Sequence, residues 1–399
     1  MIELSATALE NIALFEATNN RLKNFPEDMG FYPMSDKFCE GAILKAPWLA
    51  EYLSFRKLNT FEYRNSARTA EETRTAAWSK LNTLGAESND LLDRARGALL
   101  GLALGDTLGV PLEFSARDSR TVTDIEGGGP FNLAPGFWTD DTSMACCLAY
   151  SLIKKGGFNA EHQMQSYCKW YQYGAYSSTG TCFDIGVATR AGLEEFLNTG
   201  QPYAGSDDPR SAGNGSLMRL APIPIFYADA FEECVEHAAS SSRTTHQAPE
   251  AIDACKYYAA LIFGALNGVP KEILLDGLYS PIEGYWQRQA LSPAILEIAQ
   301  GSYKTKERHQ IHSSGYVVHT MEAALWALHR NTNFRDGVLE AVNLGDDSDT
   351  VGAVYGQLAG AVYGETGLPI DWITRMHACQ GFYHFAQDLL FASKSRTKR

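Results

Sequence analysis

The sequence predicts an all-α fold, and three observations support this prediction. From Arg94 onward, apolar residues recur at helical spacing in one segment after another. Stretches rich in Gly, Pro and Asn separate these segments, as turns between helices do. No convincing alternation of polar and apolar residues, which is typical of a half-buried strand, interrupts them. The sequence therefore predicts a compact multi-helix domain over residues 91–390.

The individual helices follow from the apolar segments in chain order. The clearest segments are residues 99–104, 144–152, 251–266, 316–328 and 350–363. Residues 1–90 contain shorter helical patterns at 3–16, 46–55 and 67–81, which are too interrupted to enclose a large core. We therefore expect a mostly helical N-terminal extension over residues 1–90 that packs on the main domain or binds another molecule.

Glycines recur once per helical turn in two of the predicted helices. The first series is Gly97, Gly101 and Gly105, and the second is Gly352, Gly356, Gly360 and Gly364. Each interior glycine costs a helix roughly 0.8–1.0 kcal/mol relative to alanine, so close packing of two helix backbones is the expected compensation. A membrane dimerisation stripe is disfavoured, because Gln357 interrupts it and no apolar stretch reaches about 18 residues.

Composition and charge exclude several classes of protein. The 399 residues include 45% hydrophobic and 20% charged residues, which excludes a largely disordered chain. A net charge of −13 argues against binding to nucleic acid or to anionic membranes. The N-terminus carries Glu3 and Glu10 rather than a basic start, and the 8 cysteines form no CxxC pair. We expect a cytoplasmic protein with reduced, buried cysteines.

Two acidic clusters stand immediately before or at the start of predicted helices. The first consists of Thr139, Asp140 and Asp141, and the second of Asp347, Asp349 and Thr350. A single such residue is most simply a helix cap, but one helix start needs only one cap oxygen. Adjacent carboxylates repel unless a cation neutralises them, and oxygen donors without His or Cys favour Mg²⁺, Mn²⁺ or Ca²⁺. If the clusters converge, they can hold two ions about 3.5–4 Å apart.

Other motifs compete with this interpretation. An EF-hand is excluded because Val351 stands where a liganding residue is required. The order Asp347-Ser-Asp349 resembles a haloacid-dehalogenase phosphatase, but that pattern follows a buried strand and residues 338–344 predict a helix. A serine hydrolase is disfavoured because the chain contains no Gly-x-Ser-x-Gly.

Four further features have both a functional and a plain structural interpretation. Residues 211–219 contain a small-residue loop that either approaches an anion with its backbone amides or simply turns tightly. His246 precedes a helix that starts near Pro249, where a histidine is more often a polar surface residue than a ligand. Glu113 follows the end of the first glycine-rich helix and is either exposed or reaches back. Tyr316 either stacks on a base or packs.

Five motifs in this order resemble the ADP-ribosylglycohydrolase family. They are RGALLGLALGDTLGVPLEF at 96–114, WTDDTSM at 138–144, SAGNGSLMR at 211–219, Thr245-His246, and GDDSDTVG at 345–352. The resemblance covers about residues 91–385. The sequence departs from the family at Asp346, where the family usually has a second glycine, and at Ser348, which is often threonine. Neither departure removes a predicted ligand.

The resemblance implies an all-α fold with two Mg²⁺ or Mn²⁺ ions in a cleft. The implied metal ligands are Thr139, Asp140, Asp141, Asp347, Asp349 and Thr350, with Glu113 able to reach the metals and gate substrate entry. The implied contacts to ADP-ribose are Gly213, Asn214, Gly215, Ser216 and His246, and Tyr316 is the candidate to stack on the base. Asp141 and Asp349 are the candidates to take the proton of the attacking water.

The implied activity is hydrolysis of the bond between ADP-ribose and a protein side chain, most plausibly arginine. An N-terminal extension on such an enzyme resembles bacterial immunity proteins that block an ADP-ribosyltransferase toxin. The extension over residues 1–90 is therefore a candidate toxin-binding arm, and packing on the body or dimerisation is the alternative. A non-catalytic inhibitor of the transferase is the second function, and the phosphatase is a weak third.

Overall fold

The computed structural model describes residues 90–396, with side chains described as far as Lys394. Within this range the chain forms α-helices and short 3₁₀ turns, and its β contacts are isolated bridges. The predicted all-α class is confirmed. The helical patterns before residue 90, the N-terminal extension and Cys39 lie outside the described residues.

Each of the five predicted apolar segments corresponds to a helix, and most of these helices are longer than the segment that predicts them. They are α1 Asp90–Gly109, α2 Asp140–Lys155, α3 Ala160–Tyr173, α4 Val187–Thr199, α5 Pro222–Phe226, α6 Phe231–Arg243, α7 Pro249–Leu266, α8 Lys271–Leu274, α9 Tyr285–Arg288, α10 Pro293–Ala299, α11 Val317–Arg330, α12 Phe334–Val342, α13 Ser348–Tyr363, α14 Ile370–Ile373 and α15 Gln380–Arg396. A 3₁₀ turn over Val110–Leu112 continues α1 towards Glu113. The helix predicted at residues 338–344 is present as α12 up to Val342, so no strand precedes the second acidic cluster.

Helices α1 and α13 pack against each other, antiparallel, along a seam of glycines. A Cβ atom added to Gly101 would lie 2.2 Å from the carbonyl oxygen of Gly356, and one added to Gly356 would lie 1.9 Å from that of Gly101. Gly97 faces Gly360 and Gly105 faces Gly352 in the same way. The predicted backbone-to-backbone packing is confirmed, because no larger residue would fit at these positions.

Gly364, the last glycine of the second series, ends helix α13 and does not lie inside it as predicted. Helix α13 ends at Tyr363, and Gly364 has a positive φ of 70° that ends the helix. Its amide still donates to the carbonyl of Gly360, but a Cβ there would lie 1.8 Å from the Asp93 carboxylate rather than against a helix backbone. Gly364 is therefore needed for its left-handed conformation as well as for space.

Surrounding helices bury the central pair. Helices α7, α11 and α12 pack on α13, and α2 packs on α3. The polar side chain of Gln357 is fully buried on α13, and its amide donates a hydrogen bond to the carbonyl of Leu217 at 2.9 Å. Gln357 is therefore compatible with a core position because its amide donor has an internal partner.

The cysteines and the membrane prediction can be compared with the described part of the chain. Cys146, Cys147, Cys168, Cys234 and Cys255 are buried free thiols, as expected. Cys182 and Cys379 are free but only partly buried, because they lie in irregular segments rather than in helices. Among the described residues, no helix has the length and apolar character that crossing a membrane requires.

Candidate active site

The two acidic clusters meet at one end of the glycine seam. Ligand oxygens of Asp106, Asp141 and Asp349 all lie within 4.8 Å of one another. Those of Glu113, Asp347 and Asp349 satisfy the same limit. Asp349 belongs to both groups and joins them. The structure therefore brings the end of α1, the start of α2 and the start of α13 into one carboxylate-lined site.

The glycine seam places Asp349 there. A Cβ added to Gly109, the last residue of α1, would lie 2.3 Å from the backbone nitrogen and Cα of Asp349. The Ser348 hydroxyl donates to the carbonyl of Gly109 at 2.8 Å. The first turn of α13 is thus fastened directly to the last turn of α1.

Asp106 holds the start of helix α2. Its carboxylate accepts hydrogen bonds from the backbone nitrogens of Thr139 and Thr142 at 2.9 and 3.1 Å. It also accepts from their hydroxyls at 3.0 and 2.6 Å. Neither Thr139, the N-cap of α2, nor Asp347, the N-cap of α13, makes a side-chain capping bond. Helix capping therefore does not account for these two cluster residues.

The rim of the site is closed by a short antiparallel bridge. The amide of Phe114 donates to the carbonyl of Asp346 at 2.7 Å, and the amide of Asp346 donates to the carbonyl of Ser115 at 2.8 Å. This bridge brings Glu113 beside Asp347. Asp346 is exposed and has a φ of 59°, a left-handed conformation that favours Gly, Asn or Asp.

The threonines and Asp140 occupy different places around the carboxylates. The hydroxyl of Thr139 lies 3.0 Å from Asp141 Oδ2, and that of Thr350 lies 3.5 Å from the same oxygen. Asp140 belongs to neither close group of carboxylates. Burial raises the pKa of Asp140, and the charge of Asp184 raises it further. Asp140 therefore lies in the same acidic environment, on the side of Asp184.

The site is buried and strongly acidic. Asp141 is 0% exposed and Asp349 is 1% exposed, and none of the described ion pairs joins a basic side chain to either. Burial and then the charge of Asp106 raise the pKa of Asp141 well above its usual value. Burial and then Asp349 raise the pKa of Asp106 and of Asp347 to about 7. Each carboxylate is thus held beside like charges at an electrostatic cost.

The donors suit a divalent cation. Asp141 Oδ1 and Glu113 Oε2 are buried and have no hydrogen-bond partner within the described part of the chain. Buried carboxylate oxygens without a donor or a counter-charge are unfavourable unless a cation binds them. All the donors are hard oxygens, which favour Mg²⁺, Mn²⁺ or Ca²⁺. The residues present therefore fit such an ion.

Two acidic residues of this site are missing from the sequence-based prediction. Asp106 lies in the last turn of α1, where the helix dipole disfavours a negative charge, and this misplaced acid is a signal that could have identified it. Asp184 lies in the irregular segment between α3 and α4 with a φ of 58°. Burial and then the charge of Asp349 raise its pKa to about 9. No local pattern distinguishes Asp184 from an ordinary loop residue.

The small-residue loop at Gly213, Asn214, Gly215 and Ser216 is attached to this cluster. The Asn214 amide donates to Asp347 Oδ2 at 2.6 Å and to the Thr320 hydroxyl at 2.8 Å. Gly213 forms an antiparallel bridge with Tyr316, which is half-buried. The Tyr316 hydroxyl donates to Glu250 at 2.7 Å. The loop and Tyr316 therefore lie together beside the second acidic cluster.

His246 lies behind the same loop rather than on the surface. It is 3% exposed, so the alternative interpretation of His246 as a polar surface residue is wrong, and its predicted contact with ADP-ribose stays a prediction. A Cβ added to Gly215 would lie 2.9 Å from Cε1 of His246. Ser216 is also buried, and its hydroxyl lies 2.8 Å from that of Ser242. The glycines leave room for the imidazole to reach the loop.

A model of the ADP-ribosylglycohydrolase family matches residues 87–398. The chain belongs to this family. This hydrolase is 45% identical over 320 residues to an ADP-ribosylarginine hydrolase, Tri1, of Pseudomonas putida, covering 80% of this chain and 84% of the relative. It is 30% identical over 292 residues to the ADP-ribosyl-(dinitrogen reductase) glycohydrolase of Rhodospirillum rubrum, covering 71% of this chain and 90% of the relative.

A solved structure described as an ADP-ribosylglycohydrolase-related protein complex shares the fold. Its chain is 41% identical, the TM-score is 0.67, and the match covers 76% of this chain and 99% of that one. The predicted family, enzyme class and all-α fold are confirmed. The phosphatase alternative is set aside, because a helix precedes the second cluster and this family accounts for both clusters.

Proposed function

We propose that this ADP-ribosylglycohydrolase is a Mg²⁺-dependent enzyme that removes ADP-ribose from arginine side chains of modified proteins. The observation that carries the proposal is the meeting of the two acidic clusters at Asp349, buried and without a basic partner among the described residues. Arginine is favoured as the acceptor because a relative of 45% identity is an ADP-ribosylarginine hydrolase. Mn²⁺ is the other ion with suitable chemistry.

The residues that would hold the metal lie at the point where the two clusters meet or, in the case of Asp140, beside it. They are Thr139, Asp140, Asp141, Asp347, Asp349 and Thr350, with Glu113 beside them. When bound, a pair of divalent ions lowers the pKa of a water molecule and orients oxygen-rich substrates. Glu113 would change partners as substrate enters; its position after the 3₁₀ turn that follows α1, close to Asp347, supports this role.

The carboxylates carry out the proton transfer and stabilise charge. Either Asp349 or Asp141 takes the proton of the water that attacks the anomeric carbon of the ribose. As the bond to the guanidinium nitrogen breaks, positive charge develops on the sugar, and the surrounding carboxylates stabilise it. The products are unmodified arginine and free ADP-ribose. Asp184 is half-buried and close enough to Asp349 for that charge to raise its pKa, and when ionised it could accept hydrogen bonds from the guanidinium group.

The loop beside Asp347 would hold the rest of the substrate. The backbone amide of Gly215 can approach the diphosphate closely, because no side chain shields it. Gly213, whose own amide donates to the carbonyl of Ser211 at 2.8 Å, leaves room beside it. Asn214 is already oriented by its bond to Asp347. Ser216 and His246 line the same loop, and Tyr316 would stack on the base. The ribose would thus lie between this loop and the carboxylates.

The N-terminal extension supports a second function. The family model begins at residue 87, so the preceding residues have no counterpart in it. We infer that this extension blocks an ADP-ribosyltransferase toxin directly while the catalytic domain reverses the modification. The protein would then protect its own cell by two independent routes in the cytoplasm.

The proposed reaction is tested with proteins labelled with ADP-ribose on arginine or on serine. Full-length chain with Mg²⁺ should release ADP-ribose from arginine, and chelation should stop the release. Asp349→Ala should lower the rate at least about a hundredfold, equivalent to several kcal/mol of transition-state stabilisation. Asp276→Ala removes an exposed carboxylate in a turn away from the cluster and should leave the rate unchanged.

Two results would contradict the proposal. Release that is unaffected by chelation would remove the metal from the mechanism, and failure to release the arginine-linked label would remove arginine as the acceptor. The same variant separates the two functions, because Asp349→Ala should lose hydrolysis and keep its inhibition of the transferase. Loss of both together would show that transferase inhibition depends on the acidic cluster.

A further inference from the structure

Arg219 is a cation buried in the core without an ion pair among the described residues. Its exposed fraction is 0%, and its guanidinium carbon lies 4.5 Å from the centre of the Tyr167 ring. One nitrogen, Nη2, donates to the Thr245 hydroxyl at 2.6 Å, and Nη1 lies 3.5 Å from the sulfur of Met144. Burying a charge without a carboxylate is unfavourable, so a role beyond packing is expected.

The Thr245 hydroxyl lies between Arg219 and His246 and contacts both. The Thr245 hydroxyl lies 2.8 Å from Nδ1 of His246, and Thr245 is fully buried. A guanidinium only donates hydrogen bonds, so the hydroxyl oxygen must accept from Arg219. If Nδ1 carried a hydrogen, the oxygen would accept twice and the hydroxyl hydrogen would have no acceptor in this part of the described structure. A buried donor without an acceptor is costly.

The Thr245 hydroxyl can both accept from Arg219 and donate its own hydrogen only in the arrangement in which it donates to Nδ1 of His246. His246 then carries its hydrogen on Nε2. Burial and the nearby charge of Arg219 lower the pKa of His246 to about 3, so the imidazole is neutral and has only this one ring hydrogen.

Nε2 points at the small-residue loop. A Cβ added to Gly215 would lie 3.2 Å from it, and one added to Gly213 would lie 3.4 Å from it. No hydrogen bond from Nε2 to another described residue is present. A single N–H donor without an acceptor therefore faces the loop that lies beside Asp347.

We propose that Arg219 and Thr245 are positioning residues that fix His246 as its Nε2–H tautomer, so that it donates a hydrogen bond to an oxygen of ADP-ribose in the loop. The donor role rests on the proposed function, whereas the tautomer does not. Without the relay, the ring could present a lone pair to the same place, and an oxygen acceptor would be repelled rather than bound.

The tautomer is measured on the full chain without ligand. Long-range ¹H–¹⁵N correlation spectra of protein labelled on histidine show which ring nitrogen carries the hydrogen. His246→Gln identifies the signal among the 9 histidines. We expect Nε2–H in the wild type and in Thr245→Ser, which keeps the hydroxyl. In Thr245→Val, which removes it, we expect a population with hydrogen on Nδ1.

A wild-type Nδ1–H tautomer would overturn the relay; the tautomer is read on the wild-type protein, and His246→Gln serves only to assign the signal. An unchanged tautomer in Thr245→Val, with the thermal melting curve of a folded protein, would also overturn it. Both outcomes leave the proposed reaction untouched, because neither measurement involves substrate or metal.

The donor role is measured by titrating ADP-ribose calorimetrically. Thr245→Val should bind about tenfold more weakly than the wild type, the loss expected for about one hydrogen bond, and Thr245→Ser should bind within about twofold of it. Equal affinity of Thr245→Val and the wild type would overturn the donor role. Absence of binding by the wild type would overturn the proposed function together with the donor role, and would leave the tautomer result standing.

Discussion

The glycine seam and the acidic site are built by the same two helices and have opposite energetics. Along the seam, α1 and α13 touch backbone to backbone, as at Gly101 and Gly356. Where the seam ends, Asp141 and Asp349 are buried among like charges with no basic partner in the described range. The comparison teaches that a tightly interlocked helix pair can hold in place a group of carboxylates that would otherwise move apart.

The seam also sets the register of the two helices. Because glycines recur once per turn on both helices, sliding one helix past the other by less than a turn would place a side chain where only a glycine fits. Gly109 continues this contact to the backbone of Asp349. The close approach of α1 and α13, which the glycines permit, therefore determines where the second acidic cluster lies.

The largest effect is expected from a methyl group added to the seam. In Gly356→Ala the new Cβ would lie 1.9 Å from the carbonyl oxygen of Gly101, so the helices must separate. We expect a loss of about 4 kcal/mol or more in the free energy of unfolding, measured by urea titration. Helix propensity alone predicts the opposite sign, a gain of about 1 kcal/mol.

The matched control is Gly186→Ala, where a Cβ meets nothing within 4 Å and φ is −61°. It should change the free energy of unfolding by less than about 0.5 kcal/mol. A Gly356→Ala variant as stable as this control would show that the seam does not constrain the helices, and the comparison would fail.

The acidic site should make the metal-free protein less stable as pH rises. Burial and like charges raise the pKa of Asp106 and Asp347 to about 7 in the folded state, above the value of an unfolded chain. The folded state then binds more protons than the unfolded state between about pH 4 and 7, so stability falls across that window. We expect a loss of several kcal/mol in the free energy of unfolding, measured by denaturation in EDTA at a series of pH values.

Adding Mg²⁺ should reverse this trend, because the ions compete with protons for the same carboxylates. Stabilisation by Mg²⁺ should therefore grow as pH rises from about 5 to 8. If the free energy of unfolding of the metal-free protein instead increased as pH rises over this range, the folded state would not hold these carboxylates close together despite their repulsion.

The smallest effect is expected at Phe114, on the rim of the site. Replacing this residue by glycine should stabilise the folded protein. Phe114 is 67% exposed and has a φ of 57°, which strains a bulky residue. Phe114→Gly should raise the free energy of unfolding by up to about 1 kcal/mol in thermal melts. Phe391→Gly, at a 74% exposed position inside α15, should instead lower it by about 1 kcal/mol.

A fall in stability in Phe114→Gly as large as that in Phe391→Gly would indicate that Phe114 packs on the rim more than its exposure suggests. The sign of the difference between these two variants is therefore the informative quantity. It shows whether the strain at the rim is relieved by removing the side chain.

The sequence predicted the features that depend on local spacing. The 3.6-residue period of the apolar residues predicts the helices. Residues 139–141 and 347–350 contain more side-chain oxygens than helix capping requires, which predicts a second role for them. Asp106 has apolar neighbours and belongs to no acidic cluster in the sequence, so only its place near the C-terminus of a helix distinguishes it. Asp184 could not be predicted, because it reaches the site from an irregular loop whose path depends on distant contacts.

His246 shows why burial is harder to predict than helical structure. Its position just ahead of a helix indicates a surface residue, yet Gly213 and Gly215 leave a space that the imidazole fills, and Thr245 and Arg219 lie behind it. The contact of Arg219 with Thr245 and those of the two glycines with His246 join residues that are more than two dozen positions apart in the chain. No local pattern contains this information.

The sequence by itself determined the helical class, the family and the chemical character of the site, because periodicity and residue type are local properties. Only the tertiary structure decided which oxygen atoms meet at Asp349, which acid caps α2, and which face His246 presents to the loop. Those outcomes depend on the approach of segments that are distant in sequence, and that approach is set by the contact between α1 and α13 and by burial of charged groups in the folded chain.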